Sequence, residues 1–160
     1  MNIIKLLGIA AGVAAAGLAG LAITNPGNVA ETSDDAKDES LKTRYYQVDF
    51  DTFIEETEKL IPTMTTYGQN WKLIGGGGGS GGEVGNVQSQ HHSATIIVEV
   101  PVAFFTDDLE INAVKESGAD KIKVDLHSKS RTGRSDLGEN KRHILQLLEA
   151  MDEKFGRKIT

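Results

Sequence analysis

The sequence contains no cysteine. This absence excludes disulfide bonds, metal sites built on thiolates, a cysteine nucleophile and lipid attachment through a cysteine. Export stays open, because an exported protein need not contain disulfides. Cysteine usage therefore narrows the chemistry of the chain but does not assign it to a compartment.

Basic residues are also scarce, with 17 Lys and Arg against 23 Asp and Glu and a formal net charge of −6. A nucleic-acid-binding domain normally carries a basic stripe, so we expect no nucleic-acid partner. Much of the acidic excess lies in one stretch, residues 31–39 (ETSDDAKDE). The rest of the chain is therefore closer to neutral.

Spacings typical of metal sites are missing as well. None of the four histidines belongs to a His-x-His, Glu-x-x-His or His-x-x-x-His pattern, and no carboxylate constellation completes a site. The histidines are His91, His92, His127 and His143. We therefore expect solvated surface histidines, no metal site and no cofactor.

The glycine-rich run at residues 75–85 (GGGGGSGGEVG) lacks the Gly-Lys-Ser/Thr ending of a phosphate-binding loop. The pattern that follows is that of a strand, whereas a phosphate cradle opens a helix. The sequence predicts a disordered loop within a hairpin. The run is also close to a synthetic flexible linker, so its origin stays open.

The first 24 residues predict a signal peptide or a membrane anchor. Lys5 precedes an uncharged apolar run from Leu6 to Ile23, and a helix of this size spans about 30 Å, enough to cross a bilayer. Gly20-Leu21-Ala22 is an acceptable cleavage site, which leaves both readings open. Either one places the domain on the periplasmic or luminal side, after an acidic, flexible linker at residues 25–42.

Residues 43–157 predict a single α+β domain. Strand patterns occur at 43–48, 71–75, 93–105, 109–114 and 121–129, and helical patterns at 49–64 and from 136 or 137 to 156. Pro101 cannot donate to a ladder, which predicts an edge or bulged position for it. Because the strands run consecutively between the helices, we expect an antiparallel sheet of about five strands with two helices packed on one face.

Three segments near the C-terminus carry a family resemblance: Phe105-Thr106-Asp107-Asp108, the polar run from Ser128 to Asn140 (SKSRTGRSDLGEN), and Lys141-Arg142. The chain resembles the family described as domain of unknown function 1499. The resemblance implies a small exported or membrane-associated α+β domain, in bacteria or in plastid-type compartments such as the thylakoid lumen. It implies no established chemistry.

The residues of this motif form a candidate polar cluster, which we call the polar corner. It comprises Asp107, Asp108, Ser128, Ser130, Arg131, Gly133, Arg134, Ser135, Asp136, Gly138, Asn140 and Arg142. In a structural interpretation, Gly133 and Gly138 adopt positive φ and Ser135 or Asp136 caps the last helix. Arg131 then pairs with Asp107 or Asp108 and fastens that helix to the sheet.

Two other interpretations use the same atoms. In the first, Ser128, Ser130, Arg131, Arg134 and the helix amides form a pocket for an anion or a small polar ligand. In the second, Asp107 and Asp108 act as an acid/base pair assisted by Ser130 or His127. Neighbouring strand residues point to opposite faces, which disfavours catalysis.

The sequence therefore predicts a non-catalytic module that binds or assembles at a membrane complex. An anion-binding or small-ligand-binding protein is the first alternative, and a hydrolase-like enzyme is the second. The state of Arg131 separates the leading interpretations. An anion site needs room over a free guanidinium, whereas a clamp needs that guanidinium already filled by carboxylates.

Overall fold

The computed structural model of the protein describes residues 27–80, 91–133 and 136–157. Strands and helices account for most of these residues. The strands are β1 (Val29–Glu31), β2 (Arg44–Tyr46), β3 (Thr65–Thr66), β4 (Gln69–Asn70), β5 (Lys72–Ser80), β6 (His92–Val102), β7 (Phe105–Lys115) and β8 (Ile122–Ser130). The helices are α1 (Phe50–Leu60) and α2 (Glu139–Phe155), with short 3-10 turns at Glu39–Leu41 and Ile61–Thr63.

The main sheet has six strands, and every pairing in it is antiparallel. Its order is β1-β8-β7-β6-β5, with β2 pairing with β8 beside β1, and β3 and β4 form a separate two-stranded ribbon. The α+β class expected from the sequence is confirmed. The sheet contains one strand more than the roughly five expected, because β1 comes from the segment before the predicted domain.

The segment predicted as a flexible linker differs from that expectation over its described part, which begins at residue 27. Val29–Glu31 pairs with His127–Lys129. Thr32 and Thr43 both donate hydrogen bonds to Asp125, at 3.1 and 2.5 Å. Strand pairing with β8 satisfies backbone groups that composition alone assigned to solvent.

The glycine-rich run also differs from the disordered loop that was expected. Residues 75–80 continue β5 and pair with residues 92–97 of β6. A Cβ at Gly76 would lie 2.2 Å from Glu58 Oε1, so α1 approaches the strand closely there. Glycine weakens a strand because it loses more conformational entropy on folding than other residues. Here the backbone pairing with β6 holds the glycines in the strand. Residues 81–85 lie outside the described residues.

The β6–β7 hairpin turns at Ala103-Phe104, earlier than the turn at residues 106–108 that the sequence predicted. Pro101 pairs with Thr106 of β7, while the pairing of β6 with β5 ends at Glu99. Pro101 therefore lies beyond the end of β5, where its missing N–H leaves no ladder bond unmade. The tip of the hairpin presents Phe104, whose exposed fraction is 92%.

One hydrophobic core lies between the helices and one face of the sheet. Alternate strand residues enter it, and both helices contribute to the same cluster. Its members include Phe50 and Phe53 of α1, Ile96, Val98 and Val100 of β6, Ile122, Val124 and Leu126 of β8, and Ile144, Leu147, Leu148 and Met151 of α2. Burying each of these side chains contributes about 1.5–3 kcal/mol. We call this side of the sheet the core face and the opposite side the open face.

Candidate functional site at the start of the last helix

A buried hydrogen-bond network joins the end of β8 to the first turn of α2. Ser128 Oγ donates to Asn140 Oδ1 at 2.6 Å, and Asn140 Nδ2 donates to Ser130 Oγ and to the carbonyl of Asn28, both at 2.9 Å. Asn140 is fully buried. Three of the motif residues therefore bond to one another and to the segment before β1, which leaves them little capacity for a ligand.

The turn before α2 has the backbone conformations expected from its glycines. The φ angles of Gly133 and Gly138 are 93° and 86°. The Asp136 carboxylate accepts hydrogen bonds from the backbone N–H groups of Gly138 and Asn140, at 3.0 and 2.7 Å. Gly138 occupies the N-cap position, so Asp136 satisfies the first amides from outside the helix. Arg134 and Ser135 lie outside the described residues.

Arg131 is paired with Asp108, one of the two carboxylates that the sequence predicted, and also with Glu99, which it did not predict. Its Nε donates to both oxygens of Asp108 at 3.0 Å, and its Nη2 donates to Asp108 and Glu99 at 2.6 Å. The side chain is 45% exposed. Arg131 therefore ties the ends of β6, β7 and β8 together on the open face, whereas Asp107 lies on the core face. The expectation that it fastens the last helix to the sheet is wrong.

A cavity of about 480 Å³ does lie beside Arg131, and Lys72 and Glu99 also line it. An anion entering it would meet a guanidinium already neutralised by Asp108 and Glu99. The hydrogen bond to Asp108, with the one to Glu99, raises the pKa of Arg131 further above its usual range. The other arginine described in the polar corner, Arg142, is paired with Glu139. Both arginines that the structure describes in the polar corner are therefore already neutralised by carboxylates.

Asp107 and Asp108 lie on opposite faces of β7, as strand alternation predicts. Asp108 is on the open face with Arg131, whereas Asp107 is on the core face and only 2% exposed. Asp107 lies opposite Ser130 in the β7–β8 register. The two carboxylates are therefore unable to act together on one substrate.

His143 corrects the expectation of surface histidines, because its side chain is fully buried. Its Nδ1 lies 3.5 Å from Asp107 Oδ2 and its Nε2 lies 3.4 Å from Glu139 Oε2. Neither ring nitrogen has a hydrogen-bond partner. The indole of Trp71 packs edge-on against the imidazole of His143, with 6.0 Å between the ring centroids. Trp71 Nε1 also lacks a hydrogen-bond partner. Unsatisfied polar atoms of this kind are concentrated at this end of the core.

Burial shifts the pKa values of Asp107 and His143 in opposite directions. It raises the pKa of Asp107 to about 6, against the opposing effect of a hydrogen bond from Ser130. It lowers the pKa of His143 to about 4. At neutral pH the imidazole is therefore uncharged and carries one N–H, so it is able to donate to only one of the two carboxylates that flank it.

A second cavity, of about 440 Å³, opens between the β6–β7 turn, the β3–β4 ribbon and the turn before α2; we call it the corner cavity. Its walls are largely apolar, with contributions from Tyr67, Val102, Ala103, Phe105 and Leu137. Its polar groups come from Asp107, Ser130, Asp136 and Glu139. The size lies within the roughly 300–1,000 Å³ of ordinary small-ligand sites.

Glu139 is held at the edge of this cavity by two partners. Its Oε1 accepts from the Tyr67 hydroxyl at 2.8 Å, and its Oε2 forms an ion pair with Arg142. The Arg142 guanidinium also lies 5.3 Å from the centroid of the Tyr67 ring. These contacts satisfy Glu139 and fix Tyr67 in the cavity wall.

Sequence reasoning missed Tyr67, Trp71, Glu139 and His143 as parts of this site. A signal existed for the histidine, since His143 lies four residues before Leu147 on the buried stripe of α2. No comparable signal exists for Tyr67, whose position depends on the β3–β4 ribbon. Within residues 27–80, 91–133 and 136–157, no group of three or more potential ligands could hold a metal ion.

No helix in the described part of the chain is both long and apolar enough to cross a membrane. The predicted signal peptide or anchor at residues 1–24 lies outside that part. No curated protein and no solved structure matches the chain significantly. The sequence model of one family, described as a protein of unknown function (DUF1499), matches residues 21–151. The match covers most of the chain, including the core and the polar corner, and the chain belongs to this family.

Proposed function

We propose that the protein is a non-catalytic binding module and that its ligand occupies the corner cavity. The observation that carries this proposal is the cavity itself, in which apolar walls surround a few convergent polar groups. Phe104 and Phe105, with exposed fractions of 92% and 57%, lie at the same end of the sheet. Exposed aromatic side chains beside a cavity favour binding at that surface.

Catalysis has less support from the geometry. Ser130 Oγ accepts from Asn140 and bonds to Asp107, so no histidine activates it as a nucleophile. His127, the histidine that the sequence suggested for catalysis, lies on the open face, away from Ser130. The anion-binding alternative is weaker too, because Arg131 and Arg142 are both occupied by carboxylates.

We further propose that the module acts outside the cytoplasm, attached to a membrane through residues 1–24, and that its binding serves a membrane complex. Support comes from Lys5 and the apolar run from Leu6 to Ile23. A reporter enzyme that is active only outside the cytoplasm, fused after Thr160, should be active. An inactive reporter on the full chain, or activity that does not depend on residues 1–24, would contradict the proposal.

The cavity proposal is tested by filling the cavity. The full chain, in mild detergent, is screened by NMR against a library of small aromatic and aliphatic compounds. Compounds that bind should shift the amide signals of Ala103, Phe105 and Ser130. Ala103→Phe should abolish these shifts, because the larger side chain occupies the cavity. Ala119→Phe, in the distant β7–β8 turn, is the matched control and should retain them.

A further inference from the structure

We propose that the ligand of the corner cavity is an organic cation, a protonated amine on an apolar body, and that Asp107 recognises it. This inference rests on the proposed function and specifies its ligand class. The geometry points to Asp107 because it combines a place in the cavity wall with 98% burial and an oxygen without a hydrogen-bond partner, Oδ2.

A buried carboxylate without a full set of partners is costly to keep ionised. Ser130 supplies one hydrogen bond to Asp107. Nδ1 of His143 lies 3.5 Å from Oδ2 but makes no hydrogen bond to it. A ligand ammonium group in the cavity would supply a compensating charge, and a rotation of the Asp107 carboxyl group would bring Oδ2, which neighbouring atoms cover in this structure, within reach of its N–H donors.

The other acidic groups at the cavity are already engaged. Asp136 accepts from two backbone amides, and Glu139 is held by Tyr67 and Arg142. Asp108, the neighbour of Asp107 on β7, is on the opposite face with Arg131. Asp107 is therefore the carboxylate in the cavity wall with the most unused capacity to accept a donor.

The charges that face Asp107 do not supply a cation of their own. From α2 come Glu139 and His143, and burial keeps the imidazole uncharged at neutral pH. The turn before α2 contributes Asp136, and β7 contributes Asp108. The strand neighbours, Val100 on β6 and Ser130 on β8, are uncharged. Arg142 offsets Glu139 and Arg131 offsets Asp108. Asp136 is then the main charge acting on Asp107, so the local field is negative and attracts a cation.

The remaining walls define the body of the ligand. Val102, Phe105 and Leu137 present apolar surface, and the Tyr67 ring completes it. A hydrophobic group of the size of a phenyl ring matches such walls, whereas a second charge would be left without a partner. The ligand class is therefore an amine with a compact apolar body rather than a polyamine or a carboxylate.

Three probes of matched shape separate charge from shape: 2-phenylethylamine, 2-phenylethanol and 3-phenylpropanoate. Each is titrated by NMR into the full chain in mild detergent at pH 7.5. We expect the amine to bind at least about tenfold more tightly than the alcohol, since a charge-assisted hydrogen bond replaces a neutral one. The carboxylate should bind least.

Asp107→Asn should remove the preference for the amine and leave the affinity for the alcohol within about twofold, because the shape of the cavity is kept. Asp108→Asn is the matched control and should retain the preference. In the unmodified chain, lowering the pH below about 6 should weaken binding of the amine as Asp107 takes up a proton. Binding of the alcohol should not change.

The outcomes separate the two proposals. Equal affinity for the amine and the alcohol would overturn the cation inference and leave the cavity proposal in place. Binding of none of the probes, together with no hit in the library screen, would overturn both. If Asp107→Asn fails to fold, the pH dependence in the unmodified chain decides the question.

Discussion

Asp107 and Asp108 are adjacent on β7, yet their surroundings differ completely. Asp108 is on the open face, 43% exposed, and bonds to Arg131. Asp107 is on the core face, 2% exposed, and leaves one oxygen without a hydrogen bond. Exposed ion pairs contribute little free energy, whereas buried polar groups contribute or cost several times more. The energetics and the binding chemistry of this corner therefore depend mainly on its core face.

The largest expected difference between the core face and the open face is that between two asparagine variants. Asn140→Ala should lower the free energy of unfolding by about 3 kcal/mol, because it leaves the hydroxyls of Ser128 and Ser130 without their buried partner. Asn112 on the open face accepts one exposed hydrogen bond from Thr95. Asn112→Ala should change the free energy by less than about 0.5 kcal/mol. Urea unfolding followed by the fluorescence of Trp71, the only tryptophan, measures both.

Equal losses in the two asparagine variants would show that the faces do not differ in the way proposed. A small loss in Asn140→Ala alone would mean that Ser128 and Ser130 find other partners. The comparison with Asn112→Ala controls for the loss of an amide side chain as such.

The second test is the pH dependence of the pair formed by Asp107 and His143. The raised pKa of Asp107 means that the folded state binds more protons than the unfolded state between about pH 4 and 6. Asp107 therefore lowers stability as the pH rises through that window. The lowered pKa of His143 means that the folded state binds fewer protons between about pH 4 and 6.5. His143 therefore raises stability over nearly the same window.

The two contributions oppose each other, and single variants should separate them. Relative to the unmodified chain, Asp107→Asn should become more stable by about 2–3 kcal/mol as the pH rises from 4 to 6. His143→Gln should become less stable by a similar amount over the same range. The measurement is the free energy of unfolding at several pH values. Parallel curves for the two variants would contradict opposite titrations.

A smaller effect is expected from the open face. Arg131→Gln should leave the Tm within about 3 °C, because the ion pairs with Asp108 and Glu99 are largely exposed to solvent. The effect should diminish further at high salt. Thermal unfolding at low and high ionic strength checks this. A fall in Tm of ten degrees or more would show that the ion pairs of Arg131 stabilise the fold strongly, as the sequence suggested.

Much of the fold could be predicted because burial follows simple periods. The alternation of Ile96, Val98 and Val100 identified the core face of β6, and all three are fully buried. The opposite orientation of Asp107 and Asp108 followed from the same period. Where hydrophobic residues repeat regularly, the sequence is sufficient to assign the face.

Features that depend on distant pairing could not be predicted. β1 is three residues long, and its partner on β8 lies about a hundred residues away in the chain. Glu99 joins Arg131 because the turn at Ala103-Phe104 sets the register that places Glu99 opposite Asp108. A turn displaced by a few residues would change that pairing, so local propensity was not sufficient for the site.

The smallest effect is expected from two neighbouring glycines in β5, which lie on opposite faces of the sheet. Gly75 lies opposite Ile97, and a Cβ there would meet nothing within 4 Å. Gly75→Ala should therefore stabilise the protein by about 0.5 kcal/mol, since it restricts the unfolded chain. Gly76 lies opposite Ile96, and its Cβ would displace the Glu58 carboxylate. Gly76→Ala should give less stabilisation or none, because a flexible side chain is able to move aside. Urea unfolding of the two variants measures the difference, and a loss above about 1 kcal/mol in Gly76→Ala would show that α1 holds Glu58 rigidly on the core face.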